Sequence, residues 1–136
     1  MQSKANKEKE HEEQRLGQLI YDVLNSCTDY IPKLKNAVVI IAEHIQKENK
    51  EGALELLPKA TEGISWLVGA IAALKKHGLL ESIDIEEINE HLKELESALK
   101  NRDFVLTADL LEYEIAPMLD SWLYAIRQEA KLKKEI

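Results

Sequence analysis

The feature that most constrains this fold is a run of apolar residues that recur at steps of three and four. The first such stripe consists of Leu16, Ile20, Val23, Cys27, Ile31, Leu34, Val38, Ile41 and Ile45. Steps of three and four place side chains on one face of an α-helix, whereas a half-buried strand alternates at every second residue. The pattern therefore predicts a long amphipathic helix whose apolar face must be covered by other helices.

Three further stripes with the same period follow along the chain. They are Leu57, Ala60, Ile64, Leu67, Ile71 and Leu74, then Ile85, Ile88, Leu92, Leu95 and Leu99, then Phe104, Ala108, Leu111, Ile115, Leu119, Trp122 and Ile126. Five Gly, three Pro and one Phe in 136 residues are too few for the turns and aromatic strands of an antiparallel β protein. We therefore predict an all-α chain that folds as an antiparallel up-and-down bundle of four helices.

Turn and capping residues predict where these helices begin and end. Gly78 is a suitable C-terminal residue for the second helix, and Asp84 is a suitable N-cap for the third. Residues 49–52 and 101–103 are expected to form the short turns that make neighbouring helices antiparallel. Pro32 lies inside the first stripe and removes one backbone hydrogen bond. It either kinks the first helix or breaks it, and a break would give five helices.

The chain divides into a charged N-terminal segment and one domain. Residues 1–15 carry four basic and four acidic side chains and no apolar stripe. We expect a helical extension that points away from the bundle and is ordered by a neighbouring molecule, because such a segment frays alone in water. Residues 16–136 are expected to form a single helical-bundle domain that needs no disulfide or structural metal.

Charge and hydropathy exclude several classes of protein. The net charge is −7, and residues 79–120 hold twelve acidic and three basic side chains, a surface that repels nucleic acid. No apolar run approaches the roughly 18 residues of a membrane span, and the N-terminus lacks the apolar segment of a secretory signal. We therefore expect a cytoplasmic protein with no nucleic-acid or membrane partner. Cys27, the only cysteine, is expected to be a core residue without chemistry.

No pattern of catalytic or metal-binding residues emerges from the sequence. A di-metal bundle needs Glu-x-x-His on two helices, and only Glu8 and His11 have that spacing. Asp109 and Glu112 lie three residues apart on the shoulder of the last helix, where a carboxylate pair could do acid–base chemistry. Partly exposed carboxylates that pair with a neighbouring Lys or Arg are the more ordinary arrangement. The sequence therefore predicts a protein that is not an enzyme and holds no cofactor or metal.

Apolar residues in excess of the four core stripes indicate a surface for a protein partner. The last helix carries a second stripe on the side opposite its core face, and Trp66 and Ile40 point away from their own stripes. The predicted partner-binding residues are Ile40, Trp66, Ala70, Leu106, Leu110, Tyr113 and Tyr124. An open alternative is that the last helix is central in the bundle and that both of its stripes are core.

These surplus residues support two functional interpretations. In the first, the protein is a non-enzymatic interaction module, a chaperone or adaptor that binds a helical segment of a client protein. In the second, the same residues form the subunit interface of a homodimer. In either case, Leu110→Asp or Trp66→Asp is expected to leave the monomer folded and to disrupt an association.

Two segments resemble the flagellar export chaperones. The segment IYDVLNSCTDYIPKLKNAVVIIAEHIQKENKEGALELLPKATEGISWL looks like their first helical hairpin, and RDFVLTADLLEYEIAPMLDSW looks like their final helix. The resemblance implies a small acidic cytoplasmic bundle that wraps an unfolded, aggregation-prone client. The second segment is also similar to small helical bacterial proteins without an assigned activity.

Overall fold

Four long helices form an up-and-down bundle, which confirms the predicted all-α fold class. The computed structural model describes residues 3–134, in which α1 spans Lys4–Gln46, α2 spans Lys50–Lys76 and α3 spans Ile85–Lys100. The C-terminal helix consists of α4 (Phe104–Asp109), a π-helical segment (Leu110–Ile115) and α5 (Ala116–Lys134) in unbroken succession. Residues 3–134 contain no strand.

The first helix is the centre of the bundle. It packs against α2 on one side and along the C-terminal helix on the other, while α3 packs against α4 and the π-helical segment. Lys35 Nζ donates to Asp120 Oδ2 at 2.8 Å, and Gln46 Nε2 donates to Glu112 Oε2 at 2.8 Å. The contact of α1 moves from Lys35 to Gln46 as that of the C-terminal helix moves back from Asp120 to Glu112, so these two helices are antiparallel.

The first three helices all end on a residue with a left-handed backbone. These residues are Glu48 (φ 61°), Gly78 (φ 78°) and Arg102 (φ 55°). The next N–H in each case donates to a carbonyl five residues back, from Asn49 to His44, Leu79 to Leu74 and Asp103 to Ala98. Asn49 and Asp103 then cap the following helix by accepting from the N–H of Gly52 and of Leu106. At these two turns a single residue therefore ends one helix and caps the next, whereas Leu79 and Asp84 share these roles between α2 and α3.

The capping residues decide how well the predicted boundaries agree with the structure. Gly78 and Asp84 end α2 and cap α3 as predicted. The turn predicted at residues 49–52 is wrong, because Glu48 takes the left-handed conformation and α2 already begins at Lys50. Pro32 does not break α1. It lies on the exposed side of the helix, and it leaves the Thr28 carbonyl without its usual N–H donor.

The loop that connects α2 to α3 is held to the bundle by hydrogen bonds to Lys75 and Glu129. Lys75 Nζ donates to the carbonyl oxygens of Leu80 and Ile83, at 3.2 and 2.6 Å. The Leu80 N–H donates to Glu129 Oε1 of α5 at 3.1 Å. Since Leu79, Leu80 and Ile83 are also buried, the loop contributes to the core instead of merely joining two helices.

The core is one continuous cluster built from the predicted stripes and from this loop. Cys27 lies within it and is fully buried, as predicted. Burial raises the pKa of the Cys27 thiol to about 11, because an apolar surrounding disfavours the thiolate. The thiol is therefore protonated and unreactive at neutral pH.

The N-terminal part of α1 projects beyond the bundle. Ser3 caps the helix by accepting from the Asn6 N–H at 3.3 Å, and α1 then continues without interruption to Gln46. All residues from Ser3 to Leu19 are exposed. The segment 4–15 does not fold back onto the C-terminal helix as a further bundle helix.

Candidate protein-binding groove

An apolar groove lies between residues 16–23 of α1 and residues 65–77 of α2. It has a volume of about 470 Å³. Its lining consists of Leu16, Leu19, Ile20 and Val23 of α1 and of Ser65, Trp66, Gly69, Ala70, Ala73, Leu74 and His77 of α2. We call this surface the α1–α2 groove. It runs along α2 between Trp66 and His77. The α1 residues border the C-terminal part of this stretch, since Tyr30, farther along α1, already lies against Trp66.

Large side chains form the walls of the groove and small residues form its floor. Leu16, Leu19 and Trp66 are 41%, 59% and 48% exposed, although each is large and apolar. Gly69, Ala70 and Ala73 lie between them, and a Cβ added at Gly69 would meet no heavy atom within 4 Å. The floor is therefore open, and the backbone of another helix could approach it closely.

Trp66 is held in its position by Tyr30 of α1. The two rings meet edge to face, with centroids 5.4 Å apart and an interplanar angle of 79°. The Tyr30 hydroxyl lies so close to Gly63 that a Cβ at that position would collide with it. The Tyr30 contact therefore covers part of the Trp66 ring, which remains 48% exposed.

Exposed charged residues flank the groove in sequence but are not among its lining residues. Arg15 precedes Leu16 on α1, and Lys76 precedes His77 on α2, so both cations lie at the same end. Asp22 precedes Val23 on α1, and Glu62 lies one helical turn before Trp66 in a depression that adjoins the groove. All four side chains are exposed.

The structure brings two of the predicted partner-binding residues together and separates the others. Trp66 and Ala70 both line the groove. Leu106, Tyr113 and Tyr124 are 42%, 65% and 69% exposed, but they lie on the C-terminal helix outside the groove. Ile40 is half-buried on α1.

The sequence prediction for Leu110 was wrong, because it placed this residue on an exposed stripe. Its side chain is only 4% exposed. The first half of the C-terminal helix packs against α1 on one side and α3 on another, so Leu110 is covered although Leu106 and Tyr113 stay exposed. Leu110 therefore belongs to the core, and the predicted outer stripe does not exist as one continuous surface.

Sequence reasoning assigned the α1 wall of the groove to the core. Leu16, Ile20 and Val23 are members of the first apolar stripe, and nothing in their spacing distinguishes them from the later members. The available signal is length, because α1 has 43 residues and α2 has 27. A stripe that is longer than the helices facing it must leave some of its residues uncovered.

The carboxylates considered for catalysis do not converge on one site. Glu112 accepts from Gln46, and Asp120 pairs with Lys35. Asp109 is exposed and lines a separate depression of about 440 Å³ with Lys50. Among the residues that the structure describes, no three His, Cys, Asp or Glu side chains are arranged to hold a metal ion.

Within 3–134, no helix combines the length and the apolar character of a membrane span.

A protein-family model covers most of this bundle. The model is described as a domain of unknown function, DUF8042, and it matches residues 22–124. The chain belongs to the DUF8042 family. The match contains the whole of α2, so the Trp66 wall of the groove lies within the DUF8042 domain, whereas Leu16 and Leu19 precede it. Searches among curated proteins and among solved structures give no match to this DUF8042 protein.

Proposed function

We propose that this DUF8042 protein is an interaction module, a chaperone or adaptor, that binds an amphipathic helix of a client protein in the α1–α2 groove. The observation that carries the proposal is the groove, in which Leu16, Leu19 and Trp66 are exposed around a floor of glycine and alanine. Contiguous apolar patches on a protein surface commonly mark sites of association. A concave patch one helix wide is the usual receptor for an amphipathic helix.

The dimensions of the groove suit one additional helix. Its α2 wall runs from Ser65 to His77, about 18 Å at the rise of an α-helix. A client helix of about 12 residues would match that length, with apolar side chains at positions i, i+3 or i+4, and i+7 directed between the walls. The open position at Gly69 gives room for the largest of these side chains.

The resemblance to flagellar export chaperones supports the same class of function. The segment that resembles their first helical hairpin, residues 20–67, forms most of α1 and the first two thirds of α2. It contributes Ile20, Val23 and Trp66 to the groove. The proposal requires no catalytic residue.

A homodimer is the second candidate function. The observation that favours it is the long exposed stretch Ser3–Leu19 of α1, whose last residues Leu16 and Leu19 also line the groove. In a dimer, the second copy would cover this part of α1 together with the groove.

A matched pair of glycine substitutions tests the proposed function. A Cβ at Gly69 or at Gly17 would meet no heavy atom within 4 Å, but only Gly69 lines the groove. Gly69→Glu is expected to abolish client binding, because it places a charged side chain on the apolar floor. Gly17→Glu adds the same charge to α1 and is expected to leave binding intact. Both should raise the free energy of unfolding by roughly 0.5–1 kcal/mol, since glycine destabilises a helix interior.

The measurement is a pull-down from native cytoplasm with the three proteins side by side, combined with light scattering of each. Loss of a bound protein in Gly69→Glu alone supports the client interpretation. Equal capture by both variants would contradict it. A stable dimer that only Gly69→Glu dissociates would support the homodimer instead.

A further inference from the structure

We propose that a second copy of this chain covers the α1–α2 groove when no client is bound. The two copies pair through α1, in opposite directions, about a two-fold axis that passes between Leu19 and Ile20. This pairing goes beyond the proposed function, because it requires no client. Since both occupants use the walls of the same groove, pairing and client binding exclude each other.

The apolar residues that α1 contributes to the groove are symmetric about this axis. They are Leu16, Leu19, Ile20 and Val23, and their spacing of three, one and three is the same in either direction. In an antiparallel pair of identical helices with this centre, Leu16 lies opposite Val23 of the second copy, and Leu19 lies opposite Ile20. A two-fold contact needs such self-complementarity, because each surface meets a copy of itself.

The α2 wall of the groove has room for the second α1. Tyr30 lies against Trp66, so the residues of α2 that follow Trp66 lie beside the residues of α1 that precede Tyr30. This stretch of α2 contains Gly69, Ala70 and Ala73, and a Cβ at Gly69 would meet no heavy atom within 4 Å. The second α1 therefore packs against α1 and α2 together, and symmetry makes a four-helix contact from the two α1–α2 pairs.

The exposed N-terminal part of α1 gives the pairing an area that suits a dimer. Because the axis passes between residues 19 and 20, residues 4–15 of each copy lie level with residues 24–35 of the other. The contact extends over about 48 Å of α1, in a strip about as wide as one helix, roughly 10 Å. Its outline of about 480 Å² is more than half of the roughly 800 Å² that a standard interface buries on each partner, whereas the groove alone offers less than about a quarter. Pairing therefore also covers residues 4–15, which are exposed in the single chain.

Cysteine substitutions test the antiparallel register. Cys27 is buried and unreactive, so an introduced cysteine is the only reactive thiol. Leu19→Cys is expected to form an intermolecular disulfide on mild oxidation, because its two copies lie about 1.5 Å apart along the helix axis. Leu16→Cys is expected not to do so, since its two copies lie about 10 Å apart along that axis, whereas a mixture of Leu16→Cys and Val23→Cys is expected to cross-link.

Gly17→Cys is the control for random collision, because Gly17 is exposed on α1 but does not line the groove. Rapid cross-linking of Leu16→Cys with itself would show a parallel pair and overturn the proposal. Cross-linking of Leu19→Cys no faster than that of Gly17→Cys would overturn it as well.

A matched pair of charged substitutions measures the strength of the pairing. Leu19 and Leu132 are 59% and 58% exposed, but Leu132 lies on α5 outside the groove. Light scattering at about 100 µM is expected to show a dimer for the wild type and for Leu132→Glu, because an interface of this size is at the low end of specific complexes. Leu19→Glu is expected to raise the dissociation constant roughly 100-fold, since the two-fold axis brings its two carboxylates together. A monomeric wild type, or a Leu19→Glu variant that dimerises as the wild type does, would overturn the proposal.

Failure of the pairing and failure of the proposed function give different results. A wild type that stays monomeric overturns the pairing and leaves the comparison of client capture by Gly69→Glu and Gly17→Glu unchanged. A dimer with the expected cross-links that captures no client in any form contradicts the proposed function alone. In a pull-down without reductant, the disulfide-linked Leu19→Cys dimer is expected to capture no client, whereas its reduced form captures it. Equal capture by the two forms would overturn the mutual exclusion.

Discussion

At the scale of single residues, three helix ends depend on a positive φ, and only one of them is a glycine. Gly78 adopts this conformation without cost, whereas Glu48 and Arg102 bring a Cβ close to the following carbonyl oxygen. Glycine is the usual residue at this position, which is why the end of α2 could be predicted and the end of α1 was placed too late. The backbone bonds around Glu48 and Arg102 are nevertheless complete, so the strain is tolerated.

Arg102→Gly is expected to raise the free energy of unfolding by about 0.5–1 kcal/mol, because it removes this strain from the end of α3. Gly78→Ala should lower it by about 1 kcal/mol for the opposite reason. Urea denaturation of both variants and of the wild type measures the two changes. Changes of the same sign would show that the left-handed geometry does not determine stability at these positions.

At the scale of elements, the π-helical segment shows where helical periodicity stops being a reliable guide. The Ala116 N–H donates to the Leu111 carbonyl five residues back, and Pro117, which has no N–H, follows immediately. A wider turn before a proline moves the preceding carbonyls away from its ring. Because a helical wheel assumes the same rotation for each residue, it grouped Leu110 with Tyr113 although their exposures differ greatly.

Leu110→Ala is expected to lower the free energy of unfolding by about 2–4 kcal/mol, because it leaves a cavity between the C-terminal helix and its neighbours. Tyr113→Ala, on an exposed side chain of the same segment, should change it by less than about 0.5 kcal/mol. Urea denaturation compares the two. Leu110→Asp is now expected to unfold the chain, contrary to the sequence prediction. Equal, small effects of both alanine variants would contradict the assignment of Leu110 to the core.

Helix periodicity predicted the elements better than it predicted the groove. The core faces of α2 and α3 follow from residues such as Leu67, Ile71 and Ile88, because any helix with one apolar stripe must bury it. The exposure of Leu16 and Leu19 depends on which helix faces them, and a single-helix pattern carries no information on that. The exposure of Trp66, in contrast, could be predicted, because this residue lies away from the apolar stripe of α2.

At the scale of the whole molecule, α1 determines both the bundle and the part that projects from it. With 43 residues it is about 65 Å long, far longer than α2. Its middle is covered on two sides, whereas its residues from Lys4 to Leu19 are exposed. The groove lies where the covered and the uncovered parts of α1 meet.

The backbone amides of residues 4–15 are expected to exchange hydrogen within about tenfold of the unfolded rate in the dilute monomer, because this 12-residue segment has no buried side chain and a helix of that length is marginal in water. Amides between Leu24 and Ala42 should be strongly protected, since fully buried side chains recur along this whole part of α1. Hydrogen exchange followed by mass spectrometry makes the comparison. Strong protection before Leu16 in a sample shown to be monomeric would contradict it.

The buried thiol has a practical consequence for every assay on this molecule. Cys27 is the only cysteine, and its pKa of about 11 keeps it inert toward maleimides at neutral pH while the fold persists. A cysteine introduced at Ser65, on the exposed rim beside Trp66, would therefore be the single labelled position on the native chain. A dye attached there would report an arriving helix directly, without first deleting any native residue.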